Sequence, residues 1–119
     1  YDVIDEKGAF MGGAIAPGLE TAAWNLFEKA ALLKETAFTV PTSAIGRDTP
    51  TNLQSGIMLG AIDVIDVMFK RIHIETGWKE PYNIITGGFG ELISSYLETK
   101  HILLSSLTLD GVRIIYDRK

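Results

Sequence analysis

The chain of 119 residues contains no cysteine. Disulfides and thiolate metal sites are therefore excluded, and nothing suggests an oxidising compartment. Histidine is scarce: His73 and His101 are the pair, too few to make a zinc site alone. His73 falls at helical spacing and is expected on a helix surface, whereas His101 precedes an apolar run and is expected at a strand edge. Basic charge is also short. The 11 Lys and Arg stand against 15 Asp and Glu, a net charge of −4 with no basic cluster or stripe, so a nucleic-acid surface has no electrostatic footprint. Long apolar runs are missing too. The longest stretch without a charged residue, 49–62, falls well short of the ~20 apolar residues of a membrane span, and no basic n-region with a cleavage site marks a signal peptide. A cytoplasmic protein with neither nucleic-acid nor membrane partners is the expectation.

What remains is ordinary for a folded domain. Hydrophobic residues make up 46% and charged residues 22% of the chain, which argues against disorder. A chain of this length buries roughly two-thirds of its unfolded surface, and one domain over residues 1–119 is expected. It opens, without a methionine, on the strand-like Tyr1-Asp2-Val3-Ile4-Asp5, as if cut from something longer. That strand and a second over 9–16 flank the turn Glu6-Lys7-Gly8 and read as a β-hairpin. Gly12 and Gly13 interrupt the second strand, marking either a bulge or a close approach by another backbone or a ligand; local spacing favours the bulge. After Pro17-Gly18, Leu19, Ala23, Phe27, Ala30 and Ala31 recur at three and four residues. They predict a helix to about Leu33, with Trp24 widening its core face. Residues 35–46 read as an irregular connection limited by Pro41.

The clearest helix start lies over 46–52, where Thr49 is placed to cap and Pro50 fits the first helical position. This helix is expected to run to about Thr76. Leu53, Ile57, Ala61, Val64, Ile65, Met68 and Ile72 form its buried stripe, and Asp66 and Lys70 pair across one turn on the outside. Gly56 and Gly60 each cost about 1 kcal/mol relative to alanine in a helix, so they are expected to admit another helix or a ligand. There follow a buried strand over 83–85, a glycine turn, a helix from about Phe89 to Glu98, a short strand at Ile102-Leu103-Leu104, and a terminal helix marked by Leu109, Val112, Ile115 and Tyr116. The order β-β-α-α-β-α-β-α indicates an α/β layer fold with helices packed on a small mixed sheet.

The run Ile84-Ile85-Thr86-Gly87-Gly88-Phe89-Gly90-Glu91-Leu92-Ile93 breaks from a strand into glycines and resumes at helical spacing. Unobstructed amides at such a turn, with the unpaired amides of a helix start, can dock an anion. The pattern matches neither the P-loop nor G-x-G-x-x-G. A phosphate or nucleotide site and a plain strand-to-helix connection both fit. No general base announces itself, since the acids fall mostly at turns or on exposed helix faces. Asp2 and Asp5 project to opposite faces of a strand and form no dyad. Serines 43, 55, 94, 95, 105 and 106 have no His or Lys arrangement nearby, which leaves them capping and surface roles.

Four separated blocks run in order along nearly the whole chain. They are Met11-Gly12-Gly13-Ala14-Ile15-Ala16-Pro17-Gly18; Ile45-Gly46-Arg47-Asp48-Thr49 followed by Gln54-Ser55-Gly56; Thr86-Gly87-Gly88; and Leu107-Thr108-Leu109-Asp110-Gly111 with Arg113 and Tyr116. Together they closely resemble the type III pantothenate kinases. The resemblance implies the actin-like ATPase fold shared by acetate and sugar kinases, in which two ribonuclease-H-like halves close over ATP, with this chain as the C-terminal half. It implies a phosphotransferase acting on an alcohol group. The ATP γ-phosphate passes to pantothenate, giving 4'-phosphopantothenate in the first step of coenzyme A biosynthesis. It also implies Mg²⁺, a monovalent cation (K⁺ or NH₄⁺), and a homodimer whose interface the long apolar helix can supply.

On that resemblance Thr49 contacts the substrate, since a hydroxyl at a helix N-terminus can bind a polar group where the dipole favours an anion such as a carboxylate. Thr86, Gly87 and Gly88 bind ATP as the adenosine and phosphate-side loop, and the Gly-Gly-x-Ile-x-Pro-Gly block shapes the substrate pocket near the dimer interface. The family's Asp-x-Gly-Asn-Thr phosphate loop, its general-base aspartate in a Gly-x-Asp-Arg block and its cation-binding aspartate are expected before Tyr1. No catalytic or metal-binding residue is thus expected in this chain, and the segment alone is expected to be inactive. Two other readings stay open. One is a non-catalytic binding or regulatory module of the transcriptional accessory kind, against which the acidic charge stands. The other is a sugar or acetate kinase, whose blocks would differ around residues 46–49.

Overall fold

Two strands, β1 (Asp2–Ile4) and β2 (Phe10–Gly13), pair antiparallel at the start of the chain in a computed structural model that describes residues 1–29 and 36–118. The chain divides into two units, Tyr1–Leu33 and Lys34–Lys119. In the first, Asp5 is a turn former: its Oδ1 accepts the amides of Lys7 and Ala9 at 2.9 and 2.8 Å, and Gly8 takes the left-handed φ of +80° that glycine tolerates best. Val3 faces Gly12 and Ile4 faces Phe10, so Met11 is the extra residue of a β-bulge. The close approach is present as well. A Cβ on Gly13 would collide with the Tyr1 carbonyl, and Tyr1 and Ala14 exchange backbone hydrogen bonds of 2.8 and 2.9 Å. The second strand ends at Gly13, short of the expected residue 16.

Helix α1 (Leu19–Lys29) buries Ala23 and half-buries Leu19 and Phe27. Trp24, expected in the core, is instead 54% exposed; it projects one residue round from Ala23, off the buried line. The positions Ala30, Ala31 and Leu33 of the expected helix lie outside the described residues.

In the second unit, α2 (Thr49–Gln54), a π-helical segment (Ser55–Leu59) and α3 (Gly60–Thr76) follow without a break. Gly77 ends the run in the left-handed region, φ +66°, its amide returning to the His73 carbonyl at 3.0 Å. The π-helical segment was not anticipated, and it changes which side faces in. Its wider turn takes up one more residue than an α-turn, so everything after it is rotated by one position. The buried line therefore runs Leu53, Met58, Ile62 and Asp66, with Ile57, Ala61, Ile65, Met68 and Ile72 half-buried beside it. Val64 is 52% exposed, whereas Asp66, expected outside, is 6% exposed. Met58 is fully buried and contributes about 2 kcal/mol of apolar burial. A methyl group on Gly56 or Gly60 would meet open space, so neither glycine makes the expected close approach among the described residues.

Strands β3 (Ile84–Ile85) and β4 (Ile102–Leu103) pair in parallel, Ile84 with Ile102 and Ile85 with Leu103. Between them α4 (Gly90–Ser94) starts hard against the ladder: a Cβ on Gly90 would lie 3.1 Å from the Leu103 side chain and 3.3 Å from that of Ile85. The helix stops at Ser94 rather than near Glu98: the Tyr96 and Leu97 amides tighten onto the carbonyls of Ile93 and Ser94 at 2.9 and 3.3 Å, and the amides of Glu98 and Thr99 beyond them are taken by Asp66. Helix α5 (Leu107–Asp117) forms as expected, with Leu109, Val112, Ile115 and Tyr116 exposed. The class is mixed α/β. Its described strands lie in two separate two-stranded ladders. Among the described residues, no helix is long and apolar enough to cross a membrane.

Candidate functional site

Capping at the start of α2 falls to Asp48, not Thr49. Asp48 is extended, with φ −147°, and its carboxylate accepts the Thr51 amide at 2.9 Å and the Thr51 hydroxyl at 2.6 Å. Thr51 Oγ1 in turn accepts the amides of Arg47 and Asp48 at 3.0 and 3.2 Å, completing a capping box. The hydrogen bonds from the Thr51 hydroxyl and amide hold the Asp48 carboxyl below the usual carboxylate range. Thr49 occupies the first helical position. It is exposed, and its hydroxyl enters no hydrogen bond among the described residues.

The loop before this helix is tied down by the other members of its motif. A Cβ on Gly46 would run into the backbone and side chain of Asn52, so only glycine lets the loop fold onto the first turn. Ser55 Oγ donates to the Ala44 carbonyl at 2.5 Å, and Ser43 Oγ to that of Ile45 at 3.1 Å. Ser55 thereby holds the loop at the point where the π-helical segment begins.

Thr86, Gly87 and Gly88 form an exposed turn at the carboxyl end of β3. Gly87 has φ +98°, and its carbonyl accepts the Gly90 amide at 3.0 Å. The amides of Gly87 and Gly88 find no acceptor among the described residues. With only five residues in α4, these free amides, rather than a macrodipole, are what the turn offers an anion. The carboxyl ends of parallel strands are where open α/β sheets bind ligands, and Ser105, just past β4, is at this end too, donating to Glu91 Oε1 at 3.2 Å.

Thr49 and the turn are joined by no hydrogen bond, but one segment links their elements. Gln54, the last residue of α2, donates to Thr39 Oγ1 at 3.0 Å, and the Phe38 ring meets that of Phe89 edge-on at 5.4 Å. Residues 38–39 thus run between the end of α2 and the residue that follows the glycines.

Several residues have roles that spacing alone did not reveal. Asp66 Oδ2 and Oδ1 accept the amides of Glu98 and Thr99, each at 2.9 Å. Burial pushes its carboxyl up, but the hydrogen bonds from Glu98 and Thr99, with the nearby Lys70 charge, prevail and hold it below the ordinary value. Lys70 itself pairs with Glu98 at 3.8 Å, in place of the expected direct Asp66 pair. His73 is half-buried rather than on the surface. Its Nε2 lies 2.7 Å from Asn83 Oδ1, while Asn83 Nδ2 donates to the Lys100 carbonyl at 2.8 Å, which makes His73 Nε2 the donor. His101, directly before β4, has Nδ1 2.7 Å from the Thr99 carbonyl and Nε2 2.6 Å from Ser94 Oγ.

The tautomer follows from that carbonyl: Nδ1 donates, and Nε2 accepts from the serine. A serine–histidine pair therefore exists after all, brought together across the connection between α4 and β4, where the chain is not helical. A backbone carbonyl, not a carboxylate, stands behind its imidazole, and the pair joins the end of α4 to the start of β4. Among the described residues, no three His, Cys, Asp or Glu side chains gather to hold a metal ion. An open concavity of about 310 Å³ lies on the outer face of α3, lined by Asp63, Val64, Val67, Met68 and Arg71. It includes neither Thr49 nor the turn.

A family model described as type III pantothenate kinase matches residues 1–71. The chain belongs to the type III pantothenate kinase family. Among similar proteins of that name, the one from Agathobacter rectalis is 36% identical over 119 residues, 100% of this chain and 46% of that protein. That from Persephonella marina is 40% identical over 116 residues, 98% of this chain and 45% of the other. The Thermomicrobium roseum protein is 42% identical over 118 residues, 99% of this chain and again 45% of the relative. The chain thus spans about half the length of the curated relatives it matches. Within the type III pantothenate kinase match lie both the glycine-bulged hairpin and the start of α2 with Thr49.

Proposed function

We propose that the natural polypeptide containing this chain is an ATP-dependent pantothenate kinase, with this chain as the C-terminal, ribonuclease-H-like half of an actin-like ATPase fold. The observation that carries this is the Thr49 hydroxyl, relieved of capping by Asp48 and Thr51 and left exposed at the start of a long helical run. Family membership supplies the substrates. Thr49 binds a polar group of pantothenate, and its carboxylate is favoured at that helix end. The amides of Gly87 and Gly88, with Thr86 beside them, face ATP. The pantothenate hydroxyl oxygen attacks the γ-phosphorus as the bond to the β–γ bridging oxygen breaks, and its proton passes to a base that the described residues do not supply. Catalysis of this kind is mostly positioning and electrostatic stabilisation, so the segment by itself is inactive.

Mg²⁺ and a monovalent cation, K⁺ or NH₄⁺, accompany such a reaction, but the described side chains do not gather into a metal site. No step above runs through either. The enzyme is a cytoplasmic homodimer in this proposal. The exposed Val64 and Val67 on the concave outer face of α3 support a second copy there. Pantothenate-dependent ADP release, measured with ATP, Mg²⁺ and K⁺ present, tests the assignment. Release by the natural polypeptide and none by residues 1–119 alone is expected. No release by the natural polypeptide would overturn it in favour of a non-catalytic binding module.

A further inference from the structure

A buried carboxylate away from Thr49 and the turn holds the segment on which both flanks of the turn depend. Asp66 is 6% exposed and uses both oxygens, one on the Glu98 amide and one on the Thr99 amide, at 2.9 Å each. Two tethers run on from that anchor. The Thr99 carbonyl accepts from His101 at 2.7 Å, and His101 accepts from Ser94 at 2.6 Å; Ser94 ends the helix that the glycine turn begins. The Lys100 carbonyl accepts from Asn83 at 2.8 Å, and Asn83, fixed by His73 at 2.7 Å, directly precedes the strand that leads into Thr86. The Asn83 carbonyl also accepts the Ile102 amide at 2.8 Å.

We infer that Asp66 is a positioning residue for the nucleotide-side turn. By fixing Glu98 and Thr99 it sets the placement of β3 and α4, and so the aim of the Gly87 and Gly88 amides. This rests on the kinase assignment for the identity of the ligand. Asp66 acts through the backbone and touches no substrate. The π-helical segment delivers it, because without the extra residue Ile65 would take the inward position. An asparagine in its place keeps the shape but offers one acceptor and one donor, leaving a donor facing a backbone N–H.

The test compares Asp66→Asn and Glu98→Gln with wild type in the natural polypeptide, by KM for each substrate and by hydrogen exchange over residues 90–97. Asp66→Asn is expected to raise the KM for ATP by about tenfold or more, as small misplacements do, with faster exchange over 90–97, where the amides of Gly90, Ile93, Tyr96 and Leu97 are hydrogen-bonded. Its KM for pantothenate should stay within about twofold of wild type, since Thr49 is held by a separate cap. Glu98→Gln removes only the exposed ion pair with Lys70, and both constants should stay within about twofold. An equal rise in both KM values, or unchanged ATP KM and unchanged exchange, would overturn the inference.

Should Asp66→Asn fail to fold, Ser94→Ala cuts the tether to α4 while keeping the carboxylate, and a smaller rise confined to ATP, about threefold, is expected. No ATP-selective rise in that variant would overturn the inference. If wild type shows no pantothenate-dependent ADP release, the kinase assignment falls on its own. Exchange over 90–97 in Asp66→Asn still decides the clamp.

Discussion

The Asp48 carboxylate and the Thr51 hydroxyl lie 2.6 Å apart and close the first turn of α2 between them, with Thr49 in between and unengaged. The two threonines therefore answer differently to truncation. Thr51→Ala should lower stability by about 1 kcal/mol, the usual size for a lost cap. Thr49→Ala should leave stability within about 0.5 kcal/mol of wild type, as exposed substitutions do. Urea unfolding of the two variants checks this, and equal losses would mean that Thr49 shares the cap.

Gly46 is required by contact rather than by conformation. Its Cβ would strike Asn52, and overpacking of this kind costs about 1–3 kcal/mol. Gly46→Ala should therefore be among the more destabilising single methyl additions in the chain, with α2 fraying first. Amide exchange over residues 49–54 would detect it. A variant as stable as wild type would show that the loop moves aside freely.

How far the sequence is legible follows from which signals are local. The start of the long helix and its end at Gly77 could be read, because Asp48 to Thr51 and a glycine C-cap act within one turn. Its buried face could not. A period of 3.6 places Val64 inside and Asp66 outside, and the π-helical segment reverses both. The short α4 was overestimated for a similar reason, since the carboxylate that captures the Glu98 and Thr99 amides comes from more than thirty residues earlier. Ser94 and His101 meet only because β4 returns beside β3. The turn at Thr86 to Gly88 was fully legible, as its glycines follow an apolar run directly.

Within that turn the two glycines differ. Gly87 sits at φ +98°, where an alanine costs about 1–2 kcal/mol, whereas Gly88 has neither a left-handed φ nor a neighbour within reach of a Cβ. Gly87→Ala should lower the melting temperature by several degrees, and Gly88→Ala should hardly move it. Thermal unfolding of the pair separates them; equal shifts would contradict the conformational assignment.

Acid should weaken the second unit in part through Asp66. Its folded carboxyl lies below the ordinary value, so its contribution is fully present above the unfolded carboxylate pKa of about 3.9. That contribution is lost as the pH falls from there through the lower folded value. The stability gap between wild type and Asp66→Asn should therefore be widest near neutrality and shrink below about pH 4. Urea unfolding at stepped pH reads it, and a gap constant down to strong acid would contradict the sign.

The division of labour between the start of α2 and the glycine turn is tested most directly by the kinetics of Thr49→Ala in the natural polypeptide, with ATP and pantothenate varied separately. A rise of about tenfold or more in the KM for pantothenate is expected, with the KM for ATP near wild type. A rise in the KM for ATP, or no change in either constant, would contradict the placement of pantothenate at Thr49.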